Sequence, residues 1–521
     1  MALRFLGIDV STQSLKGVCI NLHKSAVEYT HSIHYDEDLP GYGTRNGVIP
    51  SQQISVSESN PNMWIDGLNA LFRHMKKTGP DLQSIAAISV SGQQHGLVTL
   101  DEAGELTRKR SKLWNDASTD EECRLLTKAI GGQKEMIAEI GNTQRTGYTA
   151  GKIFHLYRHE KSAAEKTQTF FLVHNFINWY LTGGKAGGKR VMEPGDVSGM
   201  ALRHPAKQKW SERICATISD NLTNKLPPVL PADQPIGLIS NNLVKAFGFS
   251  ENCIIDAGCG DNMYSSVGTG NIEPGMVSIS LGTSGTAYTI LDEPWVDPQG
   301  EIALFSDSTG RYMPLLCVSN MANGYVDFLK QKGYTHQSFA TILQQTQPGN
   351  EGRLLFPWYE SERTPDLPHA VPVYWGFKQD DFDDATLARA LIEGHVLNLY
   401  DGYRRMPVQS SEIRLTGGLS NSDAWCQTIA DIFANEVVPV KGEGAAIGAA
   451  LHAAWVYQKE NENTNDLKNL CQQFVQLDEK RRKYPKNHQC YDIPKQVYHE
   501  VSMRLRHSYN KDAFSLTHEI R

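Results

Sequence analysis

Gly260-Asp261-Asn262 closes an apolar run, Cys253 to Cys259, and opens a small-residue segment, Ser265-Ser266-Val267-Gly268. A carboxylate at the end of a buried strand, flanked by glycine, can face a cleft and take the proton of a hydroxyl that attacks phosphorus. Alone, the tripeptide reads more readily as a solvated turn, because Gly-Asp is common turn chemistry. A second segment offers complementary groups. Ser91-Gly92-Gln93-Gln94-His95-Gly96 follows the apolar run Ile85 to Val90, and Gln94 and His95 supply donors and acceptors for sugar hydroxyls. A loop histidine that caps a neighbouring backbone fits that segment as well. Trp114-Asn115-Asp116 follows and offers an aromatic wall.

Two further segments suit phosphate. Leu6 to Gly17 and Val277 to Tyr288 each read as an apolar strand, a turn rich in Gly, Ser and Thr, and a second apolar strand. Such turns expose N–H groups and hydroxyls that can hold phosphate oxygens. One is an ordinary hairpin; two in corresponding places of two halves suggest a nucleotide held between related domains. Thr416-Gly417-Gly418-Leu419-Ser420-Asn421 joins the strand-like Glu412 to Leu415 to a helix over Asp423 to Ala434. Paired glycines there let a planar ring approach the backbone. Lys441 to Ala450 reads as a loop followed by a small-residue helix that packs closely on a neighbour. The chain carries no Gly-x-x-x-x-Gly-Lys-Ser/Thr loop, no His-Glu-x-x-His and no cysteine-rich zinc pattern. A Gly-x-Ser-x-Gly nucleophile elbow is not evident, which weakens a hydrolase reading.

These segments need a scaffold, and the rest of the chain supplies one. The 521 residues favour two large domains, and 40% hydrophobic with 21% charged residues is ordinary for a globular protein. Strand-like and helix-like segments alternate, which indicates α/β architecture, with a helix over Asn62 to Lys76. The spacing predicts a division near residue 250, giving domains 1–250 and 251–521. Lys459 to Asp466 reads as a surface loop, Lys480-Arg481-Arg482-Lys483 as a solvated basic face, and Val497 to Ser508 as a closing helix. A formal charge of −7 argues against nucleic acid or an anionic membrane as partner. No run reaches the roughly 20 apolar residues of a membrane span. The N-terminus reads as a first strand, without the pattern of a secretory signal, and the nine scattered cysteines suit a reducing cytoplasm. Cys19 and Cys317 read as buried thiols.

Taken in order, the motifs resemble the FGGY family of carbohydrate kinases over nearly the whole chain, closest to its longer ketopentose-phosphorylating subgroup. Asp9 to Lys16 and Ser280 to Gly285 are similar to the family's two phosphate hairpins. Gly92 to Gly96 resembles its sugar turn, Gly260-Asp261-Asn262 its catalytic base, and Thr416-Gly417-Gly418 with Asn421 its adenosine motif. Leu391 to Gly394 resembles a helix after the second signature, and Asp38 to Thr44 a segment of the longer subgroup. Ser11 stands where the family often has glycine, and His155 where it usually has tryptophan. The resemblance implies two actin-like (ribonuclease H-like) domains with a catalytic cleft between them. It implies ATP and Mg²⁺, and transfer of the γ-phosphoryl group to D-xylulose, with Asp261 as base needing little pKa elevation. Gln94, His95, Arg145 and Asn262 would bind the sugar. Thr12, Gln13, Thr283, Asn320, Gly417, Gly418 and Asn421 would bind the nucleotide, and Asp9 the metal. A homodimer is left open. The alternatives are a kinase for another polyol, such as ribulose, gluconate or glycerol, and a non-catalytic nucleotide-binding relative.

Overall fold

In the computed structural model, which describes residues 3–442, 444–462, 466–506 and 514, the first apolar runs form the expected hairpin. β1 (Arg4–Val10) and β2 (Ser14–Asn21) pair antiparallel, and β3 (Ala26–His34) adds to β2. α1 (Pro61–Thr78) starts at Asn60, whose side chain accepts from the Asn62 N–H, with proline in its first turn. Its apolar face, including Met63, Trp64, Leu68 and Phe72, joins the core against the sheet. The chain then returns as β4 (Ile85–Gly92), parallel to β1. A helical layer follows, with its own core around Leu126, Ile153, Val197 and Ile214. It includes α2 (Asp120–Ile130), α3 (Thr149–His159) and the short α4 (Pro194–Ser198). β5 (Pro235–Leu238), β6 (Ile254–Asp256) and β7 (Cys259–Gly260) complete the first sheet. Its order is β5-β6-β4-β1-β2-β3, with β7 beside β4.

This sheet takes in residues on the far side of 250, where the sequence suggests a division. The Phe247-Gly248-Phe249 stretch ends a short helix, Asn241–Phe247, with Gly248 in left-handed backbone. It is a local helix terminus that feeds β6, and the chain passes to the second sheet only after α5 (Asp261–Gly268).

The second sheet repeats the plan of the first. β8 (Met276–Leu281) and β9 (Gly285–Thr289) form a hairpin, β10 (Ala303–Ser306) and β11 (Tyr312–Val318) extend it, and β12 (Glu412–Thr416) runs parallel to β8. β13 (Val437–Lys441) and β14 (Gln476–Leu477) finish the order β10-β11-β9-β8-β12-β13-β14. α6 (Asp384–Tyr403) and α7 (Asp423–Phe433) pack on this sheet.

α5 and α8 (Gly444–Glu462) lie between the two sheets. Their shared core joins Met263, Tyr264, Ala446, Ala449 and Ala453 to Phe5 and Val18 of the first sheet and Tyr288 and Leu315 of the second. The helices cross at backbone contact. A Cβ on Gly448 would stand 1.8 Å from the Tyr264 carbonyl oxygen, and one on Gly268 1.8 Å from that of Gly444. α8 also runs to Glu462, where the sequence suggests a loop from Lys459; residues 463–465 lie outside the described residues. The helix is prolonged because Trp455 and Val456 stay in the interdomain core, and Lys459 ion-pairs with Asp233. The closing helix is α9 (Asp492–Arg506), and Ser508 lies outside the described residues. Three of the four residues in the basic run are matched internally: Arg481 and Lys483 pair with Asp423, and Arg482 with Glu412 and Glu479. Among the described residues no helix is long and apolar enough to cross a membrane.

Gly448→Ala should destabilise the protein by about 1–3 kcal/mol, because neither backbone can yield room for a methyl group. Denaturant titration checks this; a variant as stable as wild type would contradict the crossing.

Candidate active site

Strand register gathers the chemistry. Asp9 on β1 lies opposite Ser91 on β4, and Ser91 lies opposite Cys259 on β7, all three strands being parallel. Their C-terminal ends therefore open on one edge, the usual ligand edge of such sheets. Asp9 accepts hydrogen bonds from the hydroxyls of Ser91 (2.7 Å) and Ser11. Asp261 is the first residue of α5, just beyond β7, and is partly open to the cleft. Its Oδ1 accepts from the Asn262 N–H at 2.8 Å and from Asn262 Nδ2 at 3.1 Å. Asn262 Nδ2 also donates to Gln94 Oε1 at 2.7 Å. Gly260 is the residue that lets the two turns meet, since a Cβ there would stand 2.7 Å from Gln94 Cγ. Gln94 Nε2 is buried with no hydrogen-bond partner among the described residues.

Burial, then the nearby Asp9 and Asp196 carboxylates, push the Asp261 carboxyl up to about 8. That departs from the expectation of little elevation. Neither carboxylate is near Asp261 in sequence; the sheet register and α4 bring them there.

His95 holds a left-handed backbone, φ 65°, and is clamped on every side. Its N–H donates to Asp196 Oδ1 at 3.2 Å, and its Nδ1 lies 3.4 Å from the same oxygen. Its carbonyl accepts from Lys152 Nζ at 2.7 Å and Thr149 Oγ1 at 3.2 Å. Tyr148 meets the ring edge-on at 4.9 Å. Burial holds the imidazole below its ordinary range, so it is neutral near pH 7. Burial also brings the Lys152 ammonium down to about 7. Asp196 and Lys152 were not legible as site residues. Glu193-Pro194, an acidic N-cap followed by proline, marks the α4 start that presents Asp196, but nothing local ties it to His95. Lys152 is a lone lysine on the buried face of α3, which is the one hint it gives.

The second sheet presents a matching edge. Thr416 lies opposite Ser280, which brings the 282–284 turn beside Gly417. Gly417 has φ 84°, and a Cβ would stand 2.6 Å from the Leu281 carbonyl oxygen. Gly418 and Asn421 are exposed there, and a Cβ on Gly418 would meet nothing within 4 Å. Thr283 is exposed at its turn, as is Gln13 at the first. Thr12 Oγ1 is held by Gln93 and by Trp114 Nε1, each at 3.1 Å. Asn320 does not belong with this group. It is fully buried, and its amide is spent on Glu360, Glu362 and Asn323, so it braces the 360–362 segment instead of facing a nucleotide.

Gln94, His95, Asp261 and Asn262 share a cavity of about 1250 Å³ with Trp114, Arg145, Ser284 and Arg363. Arg145 lines it, but its guanidinium is turned to the Gly300 carbonyl (2.8 Å) and Thr143 (3.1 Å). Arg363 enters from the second domain, exposed, on a segment anchored by the buried Glu362. No local signal in the sequence marks it. Cys317 is part-exposed and lines the same cavity, not the buried thiol its neighbours suggest.

Residues 4–268 match the N-terminal domain of the FGGY family of carbohydrate kinases, and residues 277–457 its C-terminal domain. The chain is 31% identical over 492 residues to a xylulose kinase of Haemophilus influenzae, covering 92% of this chain and 95% of that protein. It is 30% identical over 495 residues to xylulose kinase 2 of Arabidopsis thaliana, covering 88% of each. A ligand-bound xylulose kinase structure from Lactobacillus acidophilus aligns with a TM-score of 0.85 at 23% identity, over 97% of this chain and 99% of that one. A gluconate kinase from the same organism aligns at 0.84 and 22%, over 98% and 99%. This chain belongs to the FGGY family of carbohydrate kinases. It has the family's two-domain α/β fold and is a sugar phosphotransferase.

The raised Asp261 value has a consequence for stability with a definite sign. The fold prefers the protonated carboxyl, so its contribution is complete below the ordinary carboxylate range and is lost as pH rises through about 8. Asp261→Asn imitates the protonated form. With chelator present, it should melt a few degrees above wild type near about pH 9, with the gap closing towards about pH 5. Melting curves at the two pH values check this; an equal shift at both would contradict the electrostatic cause.

Proposed function

We propose that this chain transfers the γ-phosphoryl group of ATP to the terminal primary hydroxyl of D-xylulose, giving D-xylulose 5-phosphate and ADP. The carrying observation is Asp261 at the mouth of α5, in one cavity with Gln94, His95 and Asn262. Relatives named xylulose kinase, about a third identical along nearly the whole chain, support the ketose.

In this reading the sugar lies along Gln94, His95 and Asn262. Neutral His95, held by Asp196, presents an imidazole nitrogen to a hydroxyl, and Gln94 Nε2 gives its unclaimed donor. Arg145 and Arg363 close the far end. Thr12, Gln13 and the first turn face the phosphates from one sheet, and Thr283 with its turn from the other. Gly417, Gly418 and Asn421 flank the adenosine on the open surface of the second domain. Asp9 fits Mg²⁺ through water: its donors are hard oxygens fixed by two hydroxyls, and Mg²⁺ gives up water reluctantly. When bound, Mg²⁺ offsets the charge of the phosphates and of Asp9. Asp261, whose carboxyl burial and then Asp9 and Asp196 hold high, would take the proton late, as the hydroxyl bonds to phosphorus. The hydroxyl oxygen forms a bond to the γ-phosphorus, the bond to the β–γ bridging oxygen breaks, and Asp261 takes the proton. Closure of the domains about α5 and α8 would bring the groups in line and exclude water.

Asp261→Asn should bind sugar almost normally and lose roughly 10²- to 10⁴-fold in kcat. Near-normal turnover would remove Asp261 from the role of base. Gly418→Ala should leave melting unchanged and raise KM for ATP while sparing KM for the sugar; equal effects on both would move the adenosine elsewhere. The gluconate kinase alignment makes the sugar itself the open question. ADP release across D-xylulose, ribulose, gluconate and glycerol decides it, and preference for another sugar would overturn the named substrate while leaving the phosphotransfer.

A further inference from the structure

Behind the sugar-facing turn, one helix pair carries donors that phosphotransfer does not use. His155 and His159 stand one turn apart on α3, and Glu122 meets them from α2. His159 Nε2 lies 3.0 Å from Glu122 Oε1, and His155 Nδ1 lies 3.6 Å from Glu122 Oε2. Donor atoms of all three lie within 4.8 Å of one another. Zinc bonds of about 2.0–2.2 Å at tetrahedral angles set neighbouring donor atoms roughly 3.4 Å apart. The two separations, each to a different oxygen of the one carboxylate, bracket that length, and a small turn of the carboxylate would bring one oxygen toward both rings. The His155 Nδ1 atom is buried and has no hydrogen-bond partner among the described residues, so its electron pair or proton is unclaimed.

Plain ion pairing of the histidines with Glu122 explains the shorter contact but not the longer one, which leaves Nδ1 without a hydrogen bond. Arg158 Nη1 also donates to Glu122 Oε1, at 2.5 Å, and meets Glu121 at 3.1 Å. This does not block a metal. A carboxylate has about four lone-pair positions, and a ligating carboxylate is commonly hydrogen-bonded in turn. His155 also stands where the resemblance places tryptophan, which sets the cluster apart from the shared catalytic frame.

We propose that Glu122, His155 and His159 bind a first-row transition-metal dication, of which Zn²⁺ is the natural occupant of such a His₂-carboxylate set, with water as fourth ligand. The ion ties α2 to the C-terminal half of α3. The N-terminal half of α3 carries Thr149 and Lys152, which hold the His95 carbonyl. Occupancy therefore stiffens the frame of the sugar-facing turn and raises resistance to heat.

The test uses the full-length protein, stripped with chelator and titrated with Co²⁺ followed by visible absorption, then with Zn²⁺ followed by calorimetry. Wild type should take up a single equivalent of Co²⁺ with tetrahedral absorption that Zn²⁺ abolishes, and Zn²⁺ should raise its melting temperature. His155→Gln and His159→Gln should each weaken uptake roughly tenfold or more, and lose the thermal gain. His159 is about half open to solvent and lies outside the cavity, so its variant should fold and turn over sugar as wild type does, which separates this test from that of the kinase reading. Absence of uptake in wild type would overturn the proposal, as would unchanged uptake in the double variant.

Discussion

Everything in this molecule is hung on the crossing of α5 and α8. Two helices that touch at backbone distance fill the space between the sheets, and glycine is the residue that permits it at 268 and 448. A crossing this close leaves no slack in the position of α5, whose first residue is Asp261. The site inherits that rigidity. A buried network strengthens it: His452 of α8 bonds Asp256 of β6 at 2.9 Å through Nδ1 and the Ser308 carbonyl at 2.9 Å through Nε2. Burial works against a charge on His452, but Asp256 prevails and raises the imidazole above its ordinary range. One buried side chain thus bridges the two halves.

The active-site electrostatics follow from the same geometry. Parallel strand ends concentrate Asp9 and Asp261 on one edge, and α4 adds Asp196. Three carboxylates near one cleft cost energy in the free protein. In the proposed reading the same arrangement suits a site that receives a dication and a polyanion, with Asp9 toward the metal and Asp261 as base. His95 shows the complementary device. A strained backbone conformation is held by an acceptor on one side and two donors on the other, so the ring is presented in a fixed orientation.

Much of this was legible. The two hairpins, the Gln94-His95 turn, the Gly417-Gly418 turn and Gly260-Asp261-Asn262 are local patterns, written in consecutive residues whose types dictate turns and strand ends. The rest depends on contacts between residues far apart in the chain. Asp196, Lys152, Arg363 and Glu362 serve the site across tens to hundreds of residues. Asn320, which the resemblance assigns to the nucleotide, is completely buried by tertiary packing. The passage between domains was displaced for a similar reason: a helix end at Gly248 resembles a linker until β6 is seen to enter the first sheet.

The strands, the turns and the residue types that meet at the candidate site are written locally in the sequence, because backbone propensity and glycine placement act within a few residues. Only the tertiary structure decided which carboxylates face one another, how far burial raises Asp261, and which histidine is fixed beside the cavity. Those depend on dielectric surroundings and on distances between side chains, and strand register and the α5–α8 crossing set both.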